Sequence, residues 1–230
     1  MSDATTAATS TDTGPVGARR PIKARQAPWA AAVTARLVAA GVTPNAISLF
    51  SVACATFASG CLAGTAVVAA PAWRSALYVL AVVGIQGRLL CNLFDGMVAV
   101  EGGKAGKAGE VYNDFPDRVA DPLVLVAAGY AAGGAWGAAL GWAAAVLAVM
   151  TAYVRVLGRS LGAGVYFIGP MAKQHRMATL TIACLASAGA VWFRADRLVM
   201  GVALVIIAAG CVVTVVRRTG RVVADLGRRP

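Results

Sequence analysis

Six apolar stretches, each close to the roughly 20 residues a helix needs to cross a bilayer, fill most of the chain between positions 45 and 216. They lie at 45–70, 75–100, 112–132, 135–157, 177–193 and 198–216. In lipid the backbone has to be satisfied within the protein, which leaves helices or a closed barrel. The alternating runs and hairpin signals of a barrel are missing from the sequence. The expected fold is therefore an all-α integral membrane protein with six transmembrane helices. Composition agrees, with 59% hydrophobic and 13% charged residues, against about 45–50% and 25% in a soluble domain. So few charges could not cover a soluble enzyme, and so much apolar surface excludes a disordered scaffold.

The flanks of these spans set the domain plan and the orientation. Residues 1–27, rich in Thr, Ser and Ala and closing on Arg19, Arg20, Lys23 and Arg25, are expected to be a flexible cytoplasmic tail. In 28–41, Trp29, Val33 and Leu37 repeat every four residues around Arg36, which predicts a short interfacial amphipathic helix. The six-helix membrane domain is expected over 28–217 and a basic cytoplasmic tail over 218–230. Of the 21 basic residues, 17 fall on one predicted side and only Arg74, Arg194 and Arg197 on the other, with Arg118 inside span three. The positive-inside rule then puts both termini in the cytoplasm of a cell (inner) membrane, as an even span count requires. The net charge of +11 fits anionic lipid rather than nucleic acid. Cys54, Cys61, Cys91, Cys184 and Cys211 all sit in apolar runs and are expected to pack as small hydrophobes.

Chemistry is expected where the acids gather. Of ten acidic residues, six lie between 95 and 121, and Asp95, Asp117 and Asp121 fall on predicted spans. A carboxylate in hydrocarbon needs a cavity, a partner or an ion. Asn92 and Asp95 share one helical face, and Asn113, Asp117 and Asp121 share another. Two helices joined by a Gly- and Lys-rich hairpin would aim these oxygens at each other, a donor set suited to Mg2+ or Mn2+. Pairing of the carboxylates with Arg88 or Arg118 is the alternative.

The same residues carry a resemblance. Asn92, Asp95, Gly96, Ala99, Val100, Gly109, Asn113 and Asp117 follow, in spacing throughout and in type at most positions, the signature D-x-x-D-G-x-x-A-R, eight residues, G-x-x-x-D-x-x-x-D. This stretch resembles the CDP-alcohol phosphatidyltransferases, whose first span also opens on a sequence like Thr43-Pro44-Asn45. Asn92, Asn113 and Val100 depart from the pattern. The resemblance implies a transferase of phospholipid biosynthesis that moves a phosphatidyl or phosphoalcohol group from a CDP-activated donor, such as CDP-diacylglycerol, to an alcohol with release of CMP. It implies a magnesium or manganese centre at the cytoplasmic face, with Asp95 as ligand and Asp117 as ligand and catalytic base. Asn92 and Asn113 would offer neutral ligand oxygens. Gly96, Ala99 and Gly109 would let the nucleotide approach closely, and a homodimer is implied as well.

Further residues complete the expectation. Asp114 and Asp121 lie on nearly the same face as Asp117 and are candidates to restore the charge lost at the asparagines. The alternatives are N-capping for Asp114, in a helix whose first turn includes Pro116, and pairing with a basic group such as Arg118 for Asp121. Arg155, Arg159, Lys173 and Arg176 form a basic cluster suited to an acceptor's phosphate, with a lesser expectation for His175. Gly129, Gly133, Gly137 and Gly141 predict close packing of spans three and four. Two rival readings are a cation or proton transporter with carboxylates along its path, and a catalytically impaired relative of the resembled family.

Overall fold

The computed structural model describes residues 27–103 and 107–228, with residues 107, 108, 110 and 113 described by backbone alone. The expected N-terminal tail (Ala27 apart), hairpin positions 104–106 and the side chain of Asn113 lie outside the described set. Within it the chain forms seven α-helices and no strand. They are α1 (Pro28–Ala39), α2 (Pro44–Val67), α3 (Pro71–Glu101), α4 (Lys107–Ala132), α5 (Gly134–Ser160), α6 (Lys173–Ala190) and α7 (Asp196–Leu226). A 3-10 turn, Val191–Phe193, links the last two.

Local chemistry marks the helix starts. Pro28, Pro44 and Pro71 each open a helix, where the missing N–H costs nothing. The Thr43 hydroxyl caps α2 by accepting from the Ala46 amide at 3.2 Å. Five helices are long and apolar enough to cross a membrane: α2, α3, α5, α6 with its 3-10 turn, and α7. The expected third span, α4, is not among them, because Asp114, Asp117, Arg118 and Asp121 reduce its apolarity. It nevertheless packs against α2, α5 and α7.

Two boundaries differ from expectation. Helix α4 begins at Lys107, so Pro116 is interior to it rather than in its first turn. The hairpin is short, and membrane helices tolerate an interior proline where neighbours satisfy the freed carbonyl. Helix α7 runs to Leu226, and Val222 is buried against Val154 and Ala163 beyond the expected end of span six.

Small residues draw the bundle together. The central core is rich in Ala55, Ala58, Ala81, Ala128, Ala144 and Ala148. A Cβ on Gly141 would lie 2.7 Å from the Gly129 Cα, so the glycine stripe closes α4 on α5 as expected. Helix α1 packs on α3, burying Ala30 with Leu93 and Met97, and Trp29 meets Phe94 edge-on at 6.0 Å. Both ends of the described chain therefore lie at one end of the bundle. At the other end Trp73, Trp136, Trp192 and Phe193 stand exposed, like the aromatic belt of a membrane interface.

Candidate active site

The α3–α4 hairpin brings the two halves of the 92–117 pattern to one end of the bundle, and the start of α6 closes the space beside them. Asp95 is 3% exposed. Its Oδ2 accepts from the Ser48 hydroxyl of α2 at 2.9 Å and its Oδ1 from the Gly96 amide at 2.5 Å. Asp117 faces basic side chains: its Oδ1 is 2.5 Å from Lys173 Nζ and 3.1 Å from Arg88 Nη2. Asp95 also interacts electrostatically with Lys173 and Asp117, so the four elements α2, α3, α4 and α6 share one charged centre.

One helical turn deeper, Asp121 is enclosed on both sides. Arg88 reaches its Oδ1 at 2.5 Å and Arg176 its Oδ2 at 2.6 Å. Arg88 is fully buried and also donates to the Met177 sulfur at 3.2 Å. Arg176 is 2% exposed and further donates to Thr151 Oγ1 and to the Met171 carbonyl, each at 3.2 Å. Toward the rim, Asp114 Oδ1 accepts from both Arg118 and Arg155 at 2.8 Å, and the Arg155 guanidinium sits over the Phe167 ring.

These placements sort the expected residues. Asp95, Asp117, Asp121 and Lys173 come together. Asn92 lies on the same stretch of α3, and its buried amide nitrogen has no hydrogen-bond partner among the described residues. Asp114 is not an N-cap, since it lies two turns into α4, and Asp121 pairs with Arg88 and Arg176 rather than Arg118. Arg155 pairs with Asp114, Arg159 stands exposed on α5, and His175 Nδ1 lies 2.6 Å from the Pro170 carbonyl. Gly96 and Ala99 are half-buried on α3, and a Cβ on Gly109 would meet open space. Three residues counted among the loop charges, Arg88, Arg176 and Arg218, are instead buried. Helices α6 and α7 extend past the expected spans to take in Arg176 and Arg218, whereas Arg88 lies in the interior of α3. Ser48 was missed because a lone serine in an apolar run carries no signal of its own.

The divalent-metal expectation can be tested on this donor set. Asp117 and Asp121 pair with Arg88, Lys173 and Arg176, so these two carboxylates are neutralised by the protein's own cations. Both oxygens of Asp95 already accept hydrogen bonds. Among the described residues no three His, Cys, Asp or Glu side chains group so as to hold a metal ion. Hard cations select sites by carboxylate charge. A divalent ion does not fit this arrangement.

The fold has solved counterparts. It is similar to that of Mycobacterium tuberculosis PgsA1. PgsA1 is a phosphatidylinositol phosphate synthase, a member of the CDP-alcohol phosphatidyltransferase family. Its crystal structure with CDP-DAG bound aligns with 85% of this chain and 94% of its own, at a TM-score of 0.68 and 17% identity. Its complex with manganese and citrate aligns over 87% and 93%, at a TM-score of 0.69 and 16% identity. No family model and no curated protein sequence matches the chain.

Proposed function

We propose that the chain is a membrane transferase that moves a phosphatidyl group from a CDP-linked lipid to an alcohol and releases CMP, in phospholipid biosynthesis. The observation that carries this reading is the joining of Asp95 and Asp117 at one end of a fold that PgsA1 shares, at the spacing of the resembled signature. In the reaction, the acceptor hydroxyl oxygen bonds to the phosphorus that bears the lipid alcohol. The bridging P–O bond breaks, its electron pair leaves with CMP, and the acceptor's proton passes to the Asp117 carboxylate. Asp95, fixed by Ser48 and the Gly96 amide, lines the same space as a positioning residue. Gly96 and Ala99 present a low ridge of α3 to the nucleotide, with Gly109 facing it from α4.

An open apolar groove of about 600 Å³ between α2, α4 and α5 has room for the acyl chains of a lipid donor. Its walls include Gly60, Ala63, Leu123, Val126 and Trp142, and Arg118 stands beside them, next in sequence to Asp117. Acyl chains in that groove would leave the diphosphate at the level of Asp117. The reading places the site and both termini at the cytoplasmic face, and takes a homodimer from the resemblance. The basic rim of Arg155 and Arg159 is the place for an acceptor's phosphate.

Transport is the weaker reading. The buried charges form two clusters at opposite ends, separated by Ala81, Ile85, Leu125, Leu180 and Leu204, each fully buried and apolar. Among the described residues no buried charge lies between them. The test is release of CMP from CDP-diacylglycerol by the purified protein across a panel of acceptor alcohols, expected above the rate of an Asp117→Asn control. Equal release by the two proteins overturns the reading.

A further inference from the structure

The family signature places carboxylates at 92, 95, 113 and 117, whereas this chain has lost two of the four and set Lys173 on the last. The two changes act in the same direction. Replacing Asp by Asn at 92 and 113 removes the charge that would attract divalent cations. Placing an ammonium 2.5 Å from Asp117, with Arg88 3.1 Å from the same oxygen, fills the remaining valency with the protein's own cations. A metal ion would have to displace an ion pair to bind at that carboxylate oxygen.

We propose that Lys173 takes the place of a divalent cation and receives the donor's diphosphate directly, so that nucleotide binding at this site needs no metal. The proposal rests on the transferase reading given above and specifies how its donor is held. An ammonium has three N–H donors. Lys173 uses one on Asp117, and its side chain keeps a quarter of its exposure, so it is the member of the cluster that a ligand can reach. Arg88, fully buried beneath it, holds Asp117 in place. The Asn92 amide nitrogen, without a hydrogen-bond partner among the described residues, is a further donor for a phosphate oxygen. When the diphosphate draws Lys173 toward itself, Asp117 is relieved of one counter-ion and becomes free to take the acceptor's proton. Donor binding and activation of the base are then one event.

The experiment measures binding of CDP-diacylglycerol to the full-length protein in nanodiscs, in EDTA and in Mn2+, and separately follows Mn2+ by its EPR signal. The wild type is expected to bind equally well in both, within about threefold, and to leave Mn2+ as the free ion. Lys173→Ala should weaken binding in EDTA by roughly 10-fold or more, the usual effect of losing a charge-assisted hydrogen bond, and Lys173→Arg should restore most of it. The triple variant Asn92→Asp, Asn113→Asp, Lys173→Ala should bind Mn2+. Wild-type binding that appears only with Mn2+, or stoichiometric Mn2+ bound to the wild type, overturns the inference and leaves the transferase reading standing. No binding in either condition overturns both. If Lys173→Ala does not fold, the wild-type EPR signal decides alone.

Discussion

The two ends of the bundle both bury a carboxylate against an arginine, yet they are built to different purposes. At the aromatic-girdled end, Asp196 of α7 pairs with Arg74 of α3 and accepts from the Tyr78 hydroxyl at 3.1 Å, while Ser187 donates to the Asp196 carbonyl at 3.2 Å. One acid meets one base, and the knot ties the starts of α3 and α7 to α6. At the other end two acids of α4 meet three bases from α3 and α6, Lys173 remains partly exposed, and the Asn92 amide nitrogen has no partner among the described residues. A buried ion pair alone is thus an architectural device here. A spare buried donor occurs at both ends among the described residues, Arg74 Nε at one and the Asn92 amide nitrogen at the other; what sets the larger cluster apart is the convergence of three cations on two neighbouring carboxylates.

The largest effect should come from the centre of the larger cluster. Asp121→Ala strips the shared partner from Arg88 and Arg176, both essentially buried, and a broken buried pair costs about 3–5 kcal/mol. Thermal unfolding in detergent should show a large fall in Tm. A Tm within a degree or two of wild type would show that the arginines have other means of compensation, and the contrast between the two ends would then lose its energetic basis. Next in size, Asp117→Asn should lower CMP release by about two orders of magnitude or more, the common contribution of a general base, with the fold intact. Unchanged turnover would remove Asp117 from the chemistry.

The third prediction separates the two ends. Asp196→Ala should cost stability, about 1–3 kcal/mol for the partners left unpaired, because Arg74 retains some exposure and can reach water. CMP release measured below the lowered Tm should match wild type. A parallel loss of turnover would couple the far knot to the site and undo the division.

Much of this was legible in the chain. Five of the six expected span positions followed from apolar length, and the glycines from 129 to 141 announced the α4–α5 contact. The 92–117 spacing located the acids that meet at the site. What stayed hidden was what those acids touch. Arg88, Lys173 and Arg176 lie 29, 56 and 55 residues from their partners, and Ser48 lies 47 from Asp95. No local period encodes such pairs; they form only when α2, α3, α4 and α6 assemble. The start of α4 was misplaced for a related reason. Pro116 looks like a helix opening until neighbouring helices make an interior proline tolerable.

The smallest effect sharpens the comparison at a third cluster, outside the spans. In the loop before α6, the Tyr166 hydroxyl donates to Asp225 Oδ2 at 2.7 Å, the Gly164 amide donates to the same oxygen at 2.8 Å, and the Arg221 guanidinium lies 5.6 Å from the Tyr166 ring centre. The hydrogen bond to a carboxylate holds the phenol protonated and raises its pKa above the ordinary tyrosine value, with desolvation adding to the shift. A group whose folded pKa is raised stabilises the fold fully below its unfolded pKa, about 10 for tyrosine, and loses that contribution as pH rises through the folded value. Tyr166→Phe should therefore lower the Tm slightly near neutrality, and the difference should vanish at strongly alkaline pH. Subtracting the variant's phenolate absorbance titration from that of the wild type isolates Tyr166, whose midpoint should lie above 10. CMP release should be unaffected, since Tyr166 touches none of the groups around Asp117. A midpoint at or below 10 would mean the Asp225 contact is not kept in solution, and a fall in turnover would extend the site across the α5–α6 loop to the end of α7.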